Sequence, residues 1–182
     1  MTKTRKDEIW VFAYGSLMWR PDFKYVESEP ALLRGYHRAF CIYSHIYRGS
    51  LENPGLVLGL DNGGSCLGRA FRLNIGAAQD ILAAIHAREM IYKVYVARRL
   101  PISLTHRSGA PRVTAHTYTA DRASPQYSGK LERDTMIKLI RNGHGTAGDG
   151  RDYLANTVHH LDQLGLTDNG LAALLRDVDA ED

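Results

Sequence analysis

Trp10-Val11-Phe12-Ala13-Tyr14-Gly15-Ser16-Leu17-Met18-Trp19 runs from a block of uncharged, mostly bulky residues straight into a small polar turn. Aromatic and β-branched side chains over residues 10–13, with no charge among them, suit a strand covered on both faces. Gly15 lacks a Cβ, so the main chain there can take angles closed to other residues and a ligand can approach its N–H groups. Ser16 adds a hydroxyl donor. N–H groups that fan out where a strand ends form a concavity suited to a carboxylate or a developing oxyanion. A Gly-Ser pair is equally ordinary punctuation after a core strand, and at this level both readings stand.

Beyond the turn, Arg20-Pro21-Asp22 breaks regularity and the segment to Pro30 reads as a loop. Ala31 to Ser44 is an extended run rich in Leu, Tyr, Phe and Ile, with Gly35 marking a bulge or a bend between two strands. Residues 48–55, Arg-Gly-Ser-Leu-Glu-Asn-Pro-Gly, form a turn-rich loop of the kind that carries binding groups. Leu56 to Leu60 is a further strand, and Asp61-Asn62-Gly63-Gly64 reads as a hairpin turn leading into Cys66 to Leu73. The period then changes: Ile81, Leu82 and Ile85 make one apolar stripe of a helix that ends near Met90 or Ile91. Val94 to Leu104 and Arg112 to Tyr118 are β segments expected to pair, with Pro101 and Pro111 pointing to an edge position or strand breaks. Helices follow over Leu131 to Ile140, about Asp152 to Leu164, and from a cap at Thr167 or Asp168 through Leu175. Strands first with one inserted helix, then helices, make an α+β fold with an antiparallel β core.

The chain has 182 residues, of which 44% are hydrophobic and 24% charged, the pattern of an ordinary soluble protein. That length can bury a substantial core, and one globular unit over residues 1–182 is expected. No internal repeat, low-complexity tract or linker marks a boundary. The polar opening Met1 to Asp7 has no signal-peptide run behind it, and no stretch reaches the roughly 18 apolar residues of a membrane span, so a cytoplasmic protein without a membrane partner is expected. Cys41 and Cys66 each sit in an apolar strand-like run and read as core thiols of a reducing compartment. A net charge of +3, with Lys and Arg dispersed among Asp and Glu, lacks the clustered basic face of a nucleic-acid binder.

Glu89 stands in an unusual place. It follows Ile81 and Ile85 at intervals of four, so it continues the apolar face of the helix. Burial disfavours the ionised carboxylate, and so does the negative end of the helix dipole. A raised pKa and proton exchange near neutral pH follow from that placement. The competing reading is a Glu89 exposed at the frayed helix end or paired with Arg88, and spacing alone does not separate the two. His159 and His160 are adjacent, so they point about 100° apart on a helix and do not form a metal pair. Gly143 to Gly150 lacks the Gly-Lys-Ser/Thr ending of a P-loop and reads as a flexible lid. Ser16 lacks the Gly-x-Ser-x-Gly frame of a nucleophile elbow. Tyr153, at a helix start after the glycine loop, is either a packing tyrosine or a ligand contact.

Several segments in order resemble the ChaC-like γ-glutamylcyclotransferases, which act on glutathione: residues 11–19, Gly35 to Cys41, Arg48-Gly49-Ser50 with Pro54-Gly55, Arg88-Glu89-Met90-Ile91, and Leu164-Gly165-Leu166 with Asp168. Together they span the chain from about Trp10 to Leu175. The resemblance implies a small mixed β-barrel with flanking helices. It also implies a general base at Glu89, a γ-glutamyl-binding turn over Tyr14, Gly15, Ser16, Leu17 and Met18, and a pocket position for Tyr153. No metal or cofactor is implied, because the nucleophile is the α-amine of the substrate itself, which closes onto its own γ-carbonyl. The implied partner is a small molecule, glutathione or a related γ-glutamyl compound. Two departures bear on specificity: Tyr92-Lys93-Val94 precedes Tyr95 where many members carry a glycine-containing turn, and Leu56 stands where many glutathione-acting members have Arg. Arg48 and Arg20 are the candidate replacements for that charge. Cyclisation of another γ-glutamyl peptide or amine, and a non-catalytic binding module on the same fold, are the alternatives.

Overall fold

The computed structural model describes residues 8–180, so the polar opening segment lies outside the described residues. Five strands close into a barrel: β1 (Ile9–Ala13), β2 (Glu27–Ser44), β3 (Gly55–Leu73), β4 (Tyr95–Leu104) and β5 (Arg112–Ala120), in the spatial order β1-β3-β2-β4-β5. β1 runs antiparallel to β3, from Ile9 opposite Leu73 to Ala13 opposite Arg69, and β2 antiparallel to β4, with Leu33 opposite Ile102. The barrel closes through a parallel pair, Trp10 opposite Ala115 and Val11 opposite His116. A small mixed barrel in an α+β fold is therefore what the chain forms.

The uncharged block 10–13 does cover both faces of β1. Trp10 and Phe12 turn into the barrel and are buried with Leu33, Leu60, Ala70, Ile102, Leu104 and Ala115. Val11 turns outward and is buried with Leu73, Ala78, Ile85 and Tyr118. Ala78 and Ile85 belong to α1 (Ala78–Glu89), so the apolar stripe of that helix covers the outer face of β1. The buried Thr117 hydroxyl donates to Phe12 O at 3.0 Å, satisfying a carbonyl where β5 meets β1.

Three expectations need correction. Residues 55–73 form one continuous strand, not a hairpin: Gly63 and Gly64 carry φ of +96° and +68°, and the chain bends there without reversing. Glycine has no Cβ penalty at such angles, so the dipeptide serves a kink as readily as a turn. β2 begins at Glu27, ahead of Pro30, and passes Gly35 at φ +87° as a bulge-like bend within one strand. β4 passes through the exposed Pro101 without breaking, and its register with β2 is carried by the following residues, 102–104. Cys41 and Cys66 are buried and not disulfide-bonded.

The chain divides into two compact units, one holding residues up to 38 and 60–119, the other 39–59 and 120–182. In the second unit α2 (Arg133–Asn142), α3 (Gly150–Gln163) and α4 (Asn169–Asp179) contact one another. Arg141 donates to the carbonyls of Asp177 and Val178 at 3.0 and 2.8 Å, satisfying the open end of α4. Asp168 caps the start of α4, its carboxylate accepting from Leu171 N at 3.0 Å, as the sequence indicates.

The glycine-rich segment is fastened down, contrary to the lid reading. It forms the two-residue ladder β6 (His144–Gly145) with β7 (Gly148–Asp149). Thr146 N and Ala147 N donate to Ile46 O and Tyr47 O at 2.8 and 3.0 Å, and Arg48 Nη1 donates to Ala147 O at 2.6 Å. Its glycines permit close backbone approach: a Cβ on Gly143 would lie 2.8 Å from both Gly55 Cα and Leu139 O. Among the described residues no helix is long and apolar enough to cross a membrane.

Candidate functional site

The polar turn after β1 is a single 3-10 turn over Ser16–Met18 with Gly15 at its head. Met18 N donates to Gly15 O at 2.9 Å, and Arg20 N to Ser16 O at 2.8 Å. The first N–H groups of such a turn, those of Ser16 and Leu17, have no acceptor within it. Gly15 has φ −129°, so the left-handed region is not what selects glycine here. A Cβ at Gly15 would meet no protein atom within 4 Å, which leaves its outer side open to a ligand. Tyr14 is half-buried against the barrel core, and its carbonyl accepts from Arg38 Nε at 2.6 Å. Leu17 packs into the outer cluster beneath α1, while Met18 is fully buried. Of the five residues, Met18 therefore anchors the turn and Gly15, Ser16 and Leu17 present it.

Glu89 is the last residue of α1, and its side chain is only 18% exposed. Both readings of it are partly met. Arg88 Nε does lie 3.7 Å from Glu89 Oε1, yet burial outweighs that charge and holds the carboxyl above the ordinary glutamate pKa. Tyr118 of β5 packs in the same cluster as Ile85; its hydroxyl lies 3.4 Å from His86 Nδ1. Burial first, then the negative charge of Glu89, push the Tyr118 phenol up to about 12. Tyr118 thus stays a neutral hydroxyl near physiological pH, within electrostatic reach of the Glu89 carboxyl.

The turn and Glu89 are joined by Arg88, whose Nη2 donates to Ser16 Oγ at 3.1 Å. In the sequence Arg88 reads as a rival partner for Glu89 and as part of the Arg88-Glu89-Met90-Ile91 motif, and Tyr118 only as a strand residue. Spacing shows that Tyr118 shares a strand face with its alternating neighbours, but which helix meets that face is a tertiary fact.

Tyr153 lies in the second unit. Its ring stands edge-on to Phe40 with centroids 5.9 Å apart, Arg48 lies over it at 5.0 Å, and Leu58 N donates to its hydroxyl at 3.4 Å. It is a half-buried tyrosine with both aromatic and polar contacts. Arg48, one candidate replacement for the charge absent at position 56, is engaged with Tyr153 and the 147–149 carbonyls, and Arg20 is exposed. Leu56 itself is fully buried. His159 and His160 have ring centroids 5.4 Å apart, and among the described residues no three His, Cys, Asp or Glu side chains are grouped to hold a metal ion.

Comparison with known proteins identifies the family. A family model described as ChaC-like protein matches residues 9–181. The chain is 34% identical over 173 residues to the glutathione-specific gamma-glutamylcyclotransferase of Escherichia coli K12, covering 94% of this chain and 74% of that one. It is 30% identical to the glutathione-specific gamma-glutamylcyclotransferase of Schizosaccharomyces pombe, covering 88% and 87%. It is 31% identical to gamma-glutamylcyclotransferase 2-3 of Arabidopsis thaliana, covering 93% and 88%. The crystal structure of the yeast gamma-glutamyl cyclotransferase specific to glutathione superposes with a TM-score of 0.84 at 23% identity over 96% of both chains, which shows a shared fold. With a shared fold and a family match across nearly its whole length, the chain belongs to the ChaC-like protein family.

Proposed function

We propose that this protein is a cofactor-free γ-glutamylcyclotransferase that cleaves glutathione to 5-oxoproline and cysteinylglycine, with Glu89 as its general acid/base. The observation that carries the reading is a carboxyl mostly withdrawn from water, with a raised pKa, on the helix end whose Arg88 is hydrogen-bonded to the Ser16 turn. The substrate supplies its own nucleophile. Its α-nitrogen bonds to the γ-carbonyl carbon, a five-membered lactam forms, and the bond from that carbon to the cysteinyl nitrogen breaks. Glu89 accepts the proton shed by the attacking nitrogen and returns one to the leaving nitrogen, so a single carboxyl with a raised pKa serves both steps.

The N–H groups of Ser16 and Leu17 hold the γ-glutamyl end or the oxyanion that develops on the carbonyl, a contribution of about 3 kcal/mol per well-placed donor. Holding the flexible γ-glutamyl chain folded toward ring closure contributes several kcal/mol more. The resemblance to the family also gives Tyr153 a substrate-binding role. A non-catalytic binding module is disfavoured because an apolar residue at position 89 would cost nothing, whereas a buried carboxyl is retained. The family match runs through both compact units without interruption, which supports treating residues 1–182 as one functional domain. Two buried cysteines outside any disulfide are consistent with the cytoplasm as its compartment.

The test is 5-oxoproline release by wild type and Glu89→Gln protein, given glutathione in parallel with γ-glutamyl dipeptides and amines, with no metal or nucleotide added. Release from glutathione by wild type, with at least a hundredfold lower turnover and retained binding in the near-isosteric glutamine variant, is the expected result. Release only from another γ-glutamyl compound would reassign the substrate and keep the chemistry. No release from any of them would overturn the enzyme reading.

A further inference from the structure

We propose that Arg88 is a positioning residue that locks the Ser16 hydroxyl and the 20–22 loop to the end of α1, so that the substrate-holding turn and the Glu89 carboxyl share one rigid frame. This inference rests on the cyclotransferase reading and adds to it how the two halves of the site are held in register. A single guanidinium makes all the links. Its Nη2 donates to Ser16 Oγ at 3.1 Å, and its Nη1 donates to Asp22 Oδ2 at 3.2 Å and to Arg20 O at 3.5 Å. Its Nε faces Glu89 Oε1 at 3.7 Å. The fork is planar, so fixing two of its directions fixes the third.

Stability does not account for this arrangement. The Arg88 side chain is 39% exposed and that of Asp22 76% exposed, and ion pairs so open to water add little to folding. The contacts do account for function. A serine hydroxyl has one donor and two acceptor directions; Arg88 occupies an acceptor direction, so the O–H is left to donate outward, to a substrate oxygen. A charged donor on the oxygen also strengthens that outward bond. Asp22 closes the clamp from the far side and sits at φ +55°, a left-handed angle that Asp tolerates better than most residues.

The same guanidinium sets the working range of the base. Arg88 on α1 and Tyr118 on β5 act on Glu89 directly; His86 lies against Tyr118, Tyr95 of β4 packs in the same cluster, and Asp22 lies beyond Arg88. Arg88 is the cation that draws the Glu89 pKa down against burial. Removing its charge therefore moves the acidic limb of the activity profile to higher pH, whereas loosening the fold lowers activity evenly across the profile.

The experiment measures kcat/KM against pH for wild type, Arg88→Met, Arg88→Lys, Ser16→Ala and the Ser16→Ala/Arg88→Met double variant. Arg88→Met is expected to lose about 10- to 100-fold in kcat/KM, the worth of a charge-assisted hydrogen bond, and to shift the acidic limb upward. Arg88→Lys keeps the charge and so the limb, but it raises KM because a point charge cannot span Ser16 and Asp22 together. The double variant is expected to fall little below Arg88→Met, since both changes break one contact. An unmoved limb in folded Arg88→Met, with activity either intact or evenly reduced, would overturn the proposal. Should that variant not fold, Arg88→Lys decides: wild-type KM would overturn it.

A second readout needs no turnover. The Glu89 side-chain carboxyl carbon, assigned by its absence in Glu89→Gln, is titrated by ¹³C NMR in wild type and Arg88→Met, and its pKa is expected to rise in the variant. A rise in Arg88→Met, when wild type turns over no γ-glutamyl compound, would keep the frame and overturn the enzyme reading. No rise in an active enzyme would overturn the frame and keep the reading.

Discussion

A carboxyl at position 89 meets two opposed influences, and their balance sets its chemistry. Burial at the end of α1 penalises the ionised form, Arg88 favours it, and burial wins. The sign of the stability effect follows. Because the folded-state pKa lies above the unfolded one, folded protein holds the proton more tightly, and the carboxyl costs stability as pH rises from the unfolded value through the folded one. Glu89→Gln is therefore expected to be more stable than wild type at neutral pH, with the difference shrinking to a pH-independent remainder below the ordinary glutamate pKa. Urea unfolding of both proteins between about pH 4 and 8 checks this. A difference that stays flat would mean that Glu89 is hydrated in the folded state. A gain in stability together with a loss of turnover from this one substitution would mark a residue whose proposed role costs the fold.

Among the elements, the segment 143–150 is where pattern and structure part most sharply. Eight residues rich in glycine read as mobile, yet each of these glycines serves close packing or a tight bend. Gly143 and Gly150 lie against backbone, and Gly148 takes φ +101°. The two readings predict opposite signs for one substitution. In a free loop Gly143→Ala would be neutral or slightly stabilising through lost unfolded-state entropy. Here the new Cβ meets the backbone of Gly55 and Leu139, which cannot yield as a flexible side chain can. A loss of about 1–3 kcal/mol is expected, seen as a thermal midpoint several degrees lower. A variant as stable as wild type would restore the loop reading.

For the whole molecule, the proposed mechanism asks little beyond orientation and one proton acceptor, and it assigns these to one strand end and one helix end. β1 is buried on both faces, so the turn that follows it starts from a well-packed strand. No three potential metal ligands are grouped among the described residues, and ring closure by the substrate's own amine needs no Lewis acid. Turnover is accordingly expected to survive dialysis against EDTA and to be unchanged on adding back Mg²⁺, Mn²⁺ or Zn²⁺. A loss of more than about tenfold that metal restores would require a different reaction from the one proposed.

Sequence alone determined the α+β class, the doubly covered strand 10–13, the inserted helix that carries Glu89 on its apolar stripe, and a cap for the last helix at residue 167 or 168. Each of these is local: side-chain period, capping chemistry and charge within a few residues decide it. Motifs in order were enough to suggest the family. Tertiary structure decided what depends on partners distant in the chain. Gly63-Gly64 could reverse a strand or only bend it, and pairing along the whole of 55–73 selected the bend. Glu89 could face water or core, and the packing of α1 over β1 and Tyr118 selected the core. Arg88 was legible as a neighbour of Glu89, but its bond to Ser16, 72 residues away, exists only once the barrel has brought the end of α1 beside the turn after β1.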